Sequence, residues 1–229
     1  MPASVGLLLA VMVIATVASW ILRNNAWAVL APENVLRAGE VWRLVTWAFV
    51  QDHPLTLIFG GMMLYSFGSQ LSYDWGEDRF LWTFVALVVG AGVLTVALSA
   101  AGARIPGHLG MWPPVIGLLL MWSLRYPDQQ LSFWGVLPMT GRTMAILVVA
   151  GTVLYGLAAG GIDGLFAFTP HFASLFLAWV LSRTRVGLPL RRWKLAWRDF
   201  RLERQMRRRS KHLKVVRKNG QDEPPRWLN

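Results

Sequence analysis

The chain has 229 residues, of which 55% are hydrophobic and 15% charged; it has no cysteine and a net charge of +11. A soluble domain carries about 25% charged residues, and here the apolar residues come in long blocks, so a polytopic membrane protein is indicated and a water-soluble globule is excluded. The absence of cysteine excludes disulfides, thiolate catalysis and cysteine-ligated metals, and the length suits one membrane domain (1–185) followed by a tail (186–229).

Six apolar segments, at about 5–22, 53–72, 79–101, 113–124, 142–160 and 166–182, predict an all-α membrane bundle. The first follows Met1-Pro2-Ala3-Ser4, which lacks the positive flank of a signal peptide, and is expected to be a retained helix. The connection 23–52 holds Trp27, Trp42 and Trp47 among polar residues. Interfacial tryptophans favour the headgroup region, so this connection is expected on the outer leaflet. Arg43 is expected to anchor it, by capping carbonyls or by meeting lipid phosphate. The second segment has a soft spot at Gly60-Gly61, and the turn after it carries Asp74, Glu77 and Asp78.

The fourth segment, 113–124, is the odd one. It would span only about 18 Å at 1.5 Å per residue, against a hydrocarbon core of about 30 Å. Its approach, 104–112, is rich in helix breakers, and irregular backbone at membrane depth survives only inside protein or beside a wet cavity. Pro113 and Pro114 are tolerable because first-turn N–H groups have no helical partner. A short, central, buried helix fed by a descending loop is therefore expected.

The sixth segment follows Gly160-Gly161-Ile162-Asp163-Gly164 and carries His171. Ser174 and Ala178 lie one turn apart, and small residues at that spacing allow close helix contact, with Gly117 as the expected facing groove. An ionisable residue inside a membrane helix is a candidate functional group; the plain alternative for His171 is an imidazole satisfied by its neighbours. His53 and His108 sit at loop ends and are expected to be solvated. No ligand spacing joins the three histidines into a zinc site, and no metal or cofactor is expected.

Of the 23 Lys and Arg residues, 16 lie after residue 182. An even number of spans puts both termini on one side, and the basic tail makes that side cytoplasmic, the expected setting being a plasma (inner) membrane. Within 190–214, Leu190, Trp193, Trp197 and Phe200 recur at helical spacing, with Arg191, Arg192, Lys194, Arg198 and Arg201 between them. This predicts an amphipathic basic helix on anionic lipid, with RNA or ribosome contact as the rival.

The stretch Gly39-Glu40-Val41-Trp42-Arg43-Leu44-Val45-Thr46, the second segment ending Leu64-Tyr65-Ser66-Phe67-Gly68, the frame Gly110-Met111-Trp112-Pro113-Pro114-Val115-Ile116-Gly117, and His171 with Ser174 and Ala178 follow one another in the order seen in rhomboid intramembrane proteases. The chain resembles that family over residues 5 to about 182. The resemblance implies a six-helix rhomboid-like bundle with a short central fourth helix. The Gly-x-Ser-Gly nucleophile position is then Trp112, the two oxyanion positions on the second helix are Thr56 and Gly60, an earlier histidine position is Gln51, and the base is His171. Indole carries one N–H donor and no nucleophilic atom.

On this resemblance no catalytic set is intact. Gln51, Thr56, Gly60, Gly110, Trp112 and His171 are expected to line a vestigial cavity, and the expected role is that of inactive relatives such as iRhoms and derlins, which bind transmembrane segments of client proteins. The alternatives are an active intramembrane serine endopeptidase with an atypical site, and a scaffold or insertion factor working through its tail. Membrane lipids and transmembrane clients are the expected partners, and no small-molecule substrate is expected.

Overall fold

The computed structural model describes residues 1–133 and 137–183, with side chains described outside 131–137. The predicted tail helix at 190–214 and its basic residues lie outside the described residues. Among the described residues the chain is almost wholly helical: α1 (Ala3–Ile21), α2 (Pro32–Ala38), α3 (Arg43–Thr46), α4 (Pro54–Trp75), α5 (Glu77–Ala100), α6 (Trp112–Arg125), α7 (Gly141–Ala167) and α8 (Thr169–Arg183), with one antiparallel pair, β1 (Gln130–Phe133) and β2 (Leu137–Thr140). Three of these helices, α1, α5 and α7, are long and apolar enough to cross a membrane.

The six apolar segments correspond to α1, α4, α5, α6, α7 and α8. Nine of the fourteen residues of α6 are buried, as a central element requires, whereas only five of the 27 in α7 are. Gly117 faces α8 closely: a Cβ there would lie 3.2 Å from the Ser174 carbonyl oxygen and 3.3 Å from Leu87. Ser174 and Ala178 are both fully buried. The soft spot on α4 is a pair of contacts, since a Cβ on Gly60 would meet Met111 Sδ at 2.8 Å and one on Gly61 would meet Met12 at 3.3 Å. At the far end of the bundle Ser4 and Ser72 share a hydrogen bond of 2.9 Å between α1 and α4, and Arg125 pairs with Asp74 at 2.9 Å.

Several expectations need correction. The fifth segment breaks at Gly160, but the stretch after it is not a plain connection. Gly160 and Gly161 leave helical geometry, with φ of 167° and 62°, and the chain then resumes helix to Ala167. The stretch between the fourth and fifth segments forms the β1–β2 pair, in register Gln130↔Thr140 to Phe133↔Leu137; the alternation Gln130-Leu131-Ser132-Phe133 is too short to announce it. Trp27 and Trp42 are exposed, but Trp47 is fully buried and donates its indole N–H to the Leu44 carbonyl at 3.1 Å. It is a core residue and not an interfacial anchor, because α3 turns it inward.

The 22–53 connection is folded, not merely interfacial. Pro32 opens α2, and Gly39 closes it in the left-handed region at φ 69°. Arg43 caps carbonyls, the first of its two expected roles: it donates to the Ala26 carbonyl and, at 2.8 Å, to the Val29 carbonyl, and it pairs with Glu40. Hydrogen bonds from Arg43 and then Asn34 hold the Glu40 carboxyl below its ordinary value of 4.5. A carboxyl whose folded value is depressed contributes stability above its unfolded value and loses it as pH falls through the folded one. Limited proteolysis of this connection is therefore expected to be pH-independent from neutrality down to about 4.5 and to accelerate below it. Glu40→Gln should remove that acid dependence.

Candidate functional site

Two loops converge at the start of α6. Leu30 and His108 exchange backbone hydrogen bonds of 2.8 and 3.1 Å, which ties the outer connection to the descending loop. Gly110 turns that loop with φ 119°, a conformation that glycine adopts without strain. Its N–H donates to the Trp47 carbonyl at 2.8 Å, and the next N–H, of Met111, donates to Gln51 Oε1 at 3.2 Å. Gln51 is itself held from both sides: its amide nitrogen donates to the Ala48 carbonyl at 3.3 Å, and its own carbonyl accepts from Trp20 Nε1 at 3.0 Å. A buried amide with these partners is a strut.

Below this junction, α6, α7 and α8 line an open-sided cavity of about 570 Å³. Trp112 and Ile116 from α6, Thr152 and Tyr155 from α7, and His171 from α8 form part of its wall, with His108 from the loop. His171 is 6% exposed. Its ring stacks on Phe168 at 4.6 Å and meets His108 edge-on at 5.1 Å. Nδ1 of His171 has no hydrogen-bond partner among the described residues, and neither has the Ser174 hydroxyl one turn later.

The structure thus brings Trp112 and His171 to one cavity and places the other expected lining residues elsewhere. Gln51 is the strut just described. Thr56 caps α4, donating to the His53 carbonyl at 2.6 Å. Gly60 is covered by the Met111 thioether, and Gly110 lies against the Gln51 amide. None of these four belongs to the wall of this cavity. His53 is exposed as expected, but His108 is not a solvated loop end. The β-bridge to Leu30 carries it inward against His171. Thr152, Tyr155 and Phe168 were equally unforeseen as wall residues, because each is an ordinary residue of an apolar helix until the neighbouring helix is in place.

Acyl transfer needs an activated hydroxyl beside the imidazole and donors aimed at the oxyanion. Among the described residues no hydroxyl hydrogen-bonds to His171. The Thr152 hydroxyl donates back along its own helix to the Val148 carbonyl at 2.7 Å. Donors are scarce too. A helix start normally presents several unpaired N–H groups to an anion, but here Pro113 and Pro114 carry none, and Gly110 and Met111 have already committed theirs.

The family model described as "Eukaryotic integral membrane protein (DUF1751)" matches residues 6–184, which takes in α2 to α8 and all but the first three residues of α1. The chain belongs to this family. This DUF1751 protein is also similar to two curated proteins. It is 25% identical over 162 residues to Derlin-1 of Oryza sativa subsp. japonica, covering 68% of this chain and 65% of that protein. It is 30% identical over 138 residues to Derlin-1 of Arabidopsis thaliana, covering 56% of this chain and 47% of that protein. The chain spans less than two thirds of the length of either relative.

Proposed function

We propose that this chain is a catalytically inactive, rhomboid-like membrane protein that recognises transmembrane segments of other proteins laterally, between α4 and α7. The observation that carries the reading is the start of α6, where an indole stands beside the imidazole cavity and the backbone offers few donors. Similarity to Derlin-1 supports it, since the rhomboid resemblance makes derlins inactive relatives that bind clients. On this reading α1, α4, α5, α7 and α8 cross the bilayer, α6 completes its crossing through the descending loop before it, and both termini are cytoplasmic, with the basic residues after 182 supplying the orienting charge. Lightly buried α7 is the wall that a client helix would meet.

The test has two arms. Photo-crosslinking residues placed at Ile58 and Met62 on α4 and at Ile146 and Leu154 on α7, all exposed, are expected to capture other membrane proteins in native membranes. The same residue at Trp82 or Val93 on α5 should capture few. Purified protein in detergent, offered a generic transmembrane substrate, should cleave nothing and take no fluorophosphonate label. Cleavage abolished by His171→Ala would establish the peptidase alternative. Equal capture from α4, α5 and α7 would remove the lateral site.

A further inference from the structure

We infer that the cavity between α6, α7 and α8 is a binding site for an uncharged amphiphile with a hydroxyl head, seated with that head against His171 and His108. The inference does not depend on the client-binding reading, which concerns the outer faces of α4 and α7.

The volume, about 570 Å³, falls within the roughly 300–1,000 Å³ of small-molecule sites. The polar groups of the wall are gathered on a few side chains and the remainder is apolar or aromatic, including Trp112, Ile116, Leu147 and Phe168. That is the division an amphiphile requires: one hydrogen-bonding end and a body that prefers hydrocarbon. Among the described residues the wall contains no Lys, Arg, Asp or Glu. A carboxylate or phosphate head would be buried there without a counter-charge, which is strongly unfavourable, so the head is neutral.

The second observation is the state of the two imidazoles. An imidazole in its neutral form has one N–H donor and one lone pair, and buried polar groups are nearly always satisfied. His171 and His108 touch edge to face, and His171 Nδ1 is buried with no hydrogen-bond partner among the described residues, while the His108 ring is half-buried. Thr152, buried in the same wall, uses its hydroxyl hydrogen on Val148 and retains lone pairs. A hydroxyl, which both donates and accepts, complements an imidazole on one side and a threonine oxygen on the other. No protein group supplies it among the described residues.

The site can be closed without disturbing the bundle. Gly151 belongs to the wall, and a Cβ built on it meets nothing within 4 Å. Gly151→Leu should intrude on the cavity from its wall and leave the fold intact.

The experiment uses the full chain in lipid nanodiscs with two probes, a diazirine–alkyne monoacylglycerol and a diazirine–alkyne sterol, with photolabelled peptides mapped by mass spectrometry. Saturable labelling of α6, α7 or α8 residues of the wall is expected with at least one probe, competed by its unlabelled counterpart and not by the corresponding fatty acid. Labelling by the monoacylglycerol alone assigns a single-chain ligand, and labelling by the sterol alone a ring system; both sustain the site. Gly151→Leu should abolish the label. Thr152→Val, which keeps shape and removes the acceptor, should weaken it roughly three- to tenfold, the loss of one buried hydrogen bond. Both variants are to show the wild-type melting profile. Absence of saturable label, equal competition by the fatty acid, or full labelling of Gly151→Leu would overturn the inference.

Discussion

Trp122→Ala is expected to destabilise the bundle by about 3–5 kcal/mol, the range for deleting a large buried aromatic side chain. Trp122 is fully buried near the C-terminal end of α6. Its ring meets Phe67 of α4 edge-on at 5.2 Å, and its indole N–H donates to the Gln70 side-chain oxygen. Alanine would therefore leave both a void between two helices and a carbonyl without its donor. Trp122→Phe separates the two effects, because it retains most of the packing and loses the hydrogen bond, at about 1–3 kcal/mol. Thermal unfolding in detergent followed by size-exclusion chromatography should rank the variants wild type, Phe, Ala. An alanine variant as stable as the phenylalanine one would show that α6 is not packed as described.

Gly117→Leu is the second substitution with a large expected effect. A Cβ at Gly117 already stands 3.2 Å from the Ser174 carbonyl oxygen, which belongs to the backbone of α8 and cannot rotate away, and 3.3 Å from Leu87 on α5. Overpacking of a tight core costs about 1–3 kcal/mol, and a leucine here must also part α6 from α8. Gly117→Ala should fall between wild type and Gly117→Leu. The native chain has no cysteine, so a single engineered cysteine pair across α6 and α8 reports the separation on a clean background. Its oxidation should slow progressively from glycine to alanine to leucine. Unchanged oxidation in the leucine variant would mean that the two helices are not held by this contact.

The parts of the fold that were legible in the sequence are those set by composition over a full helix length. Six apolar blocks became six helices with boundaries displaced by a few residues, and the short fourth block became the buried one because only other protein could cover its irregular approach. The glycine pair at 160–161 was legible as a break because Asp163 and a third glycine, Gly164, follow it closely, whereas Gly60-Gly61 sits in the unbroken α4; the helix resumed after the break. The close contact at Gly117 was legible because a residue without a Cβ lets a neighbouring helix approach.

What escaped was set by contacts between residues far apart in the chain. Nothing local distinguishes Met111 from any other apolar residue, yet its thioether fills the space beside Gly60. His108 reads as a loop histidine until the bridge to Leu30 carries it inward. Trp47 reads as an interfacial anchor until α3 rotates it into the core. Gln51 reads as a cavity residue, but a single side chain with a carbonyl on one branch and an amide on the other served better as a brace between two loops.

On the proposed inactive reading, the paired prolines at the head of α6 add a main-chain obstacle to hydrolysis. A pyrrolidine nitrogen bears no hydrogen, so the shortage of donors there belongs to the main chain and no change of rotamer can relieve it. A serine written back at position 112 would find Pro113 and Pro114 behind it, and ahead of it two amides already engaged. Reactivity would require rebuilding the turn, the helix cap and the strut together. A requirement for several simultaneous changes makes such a state hard to leave by single steps.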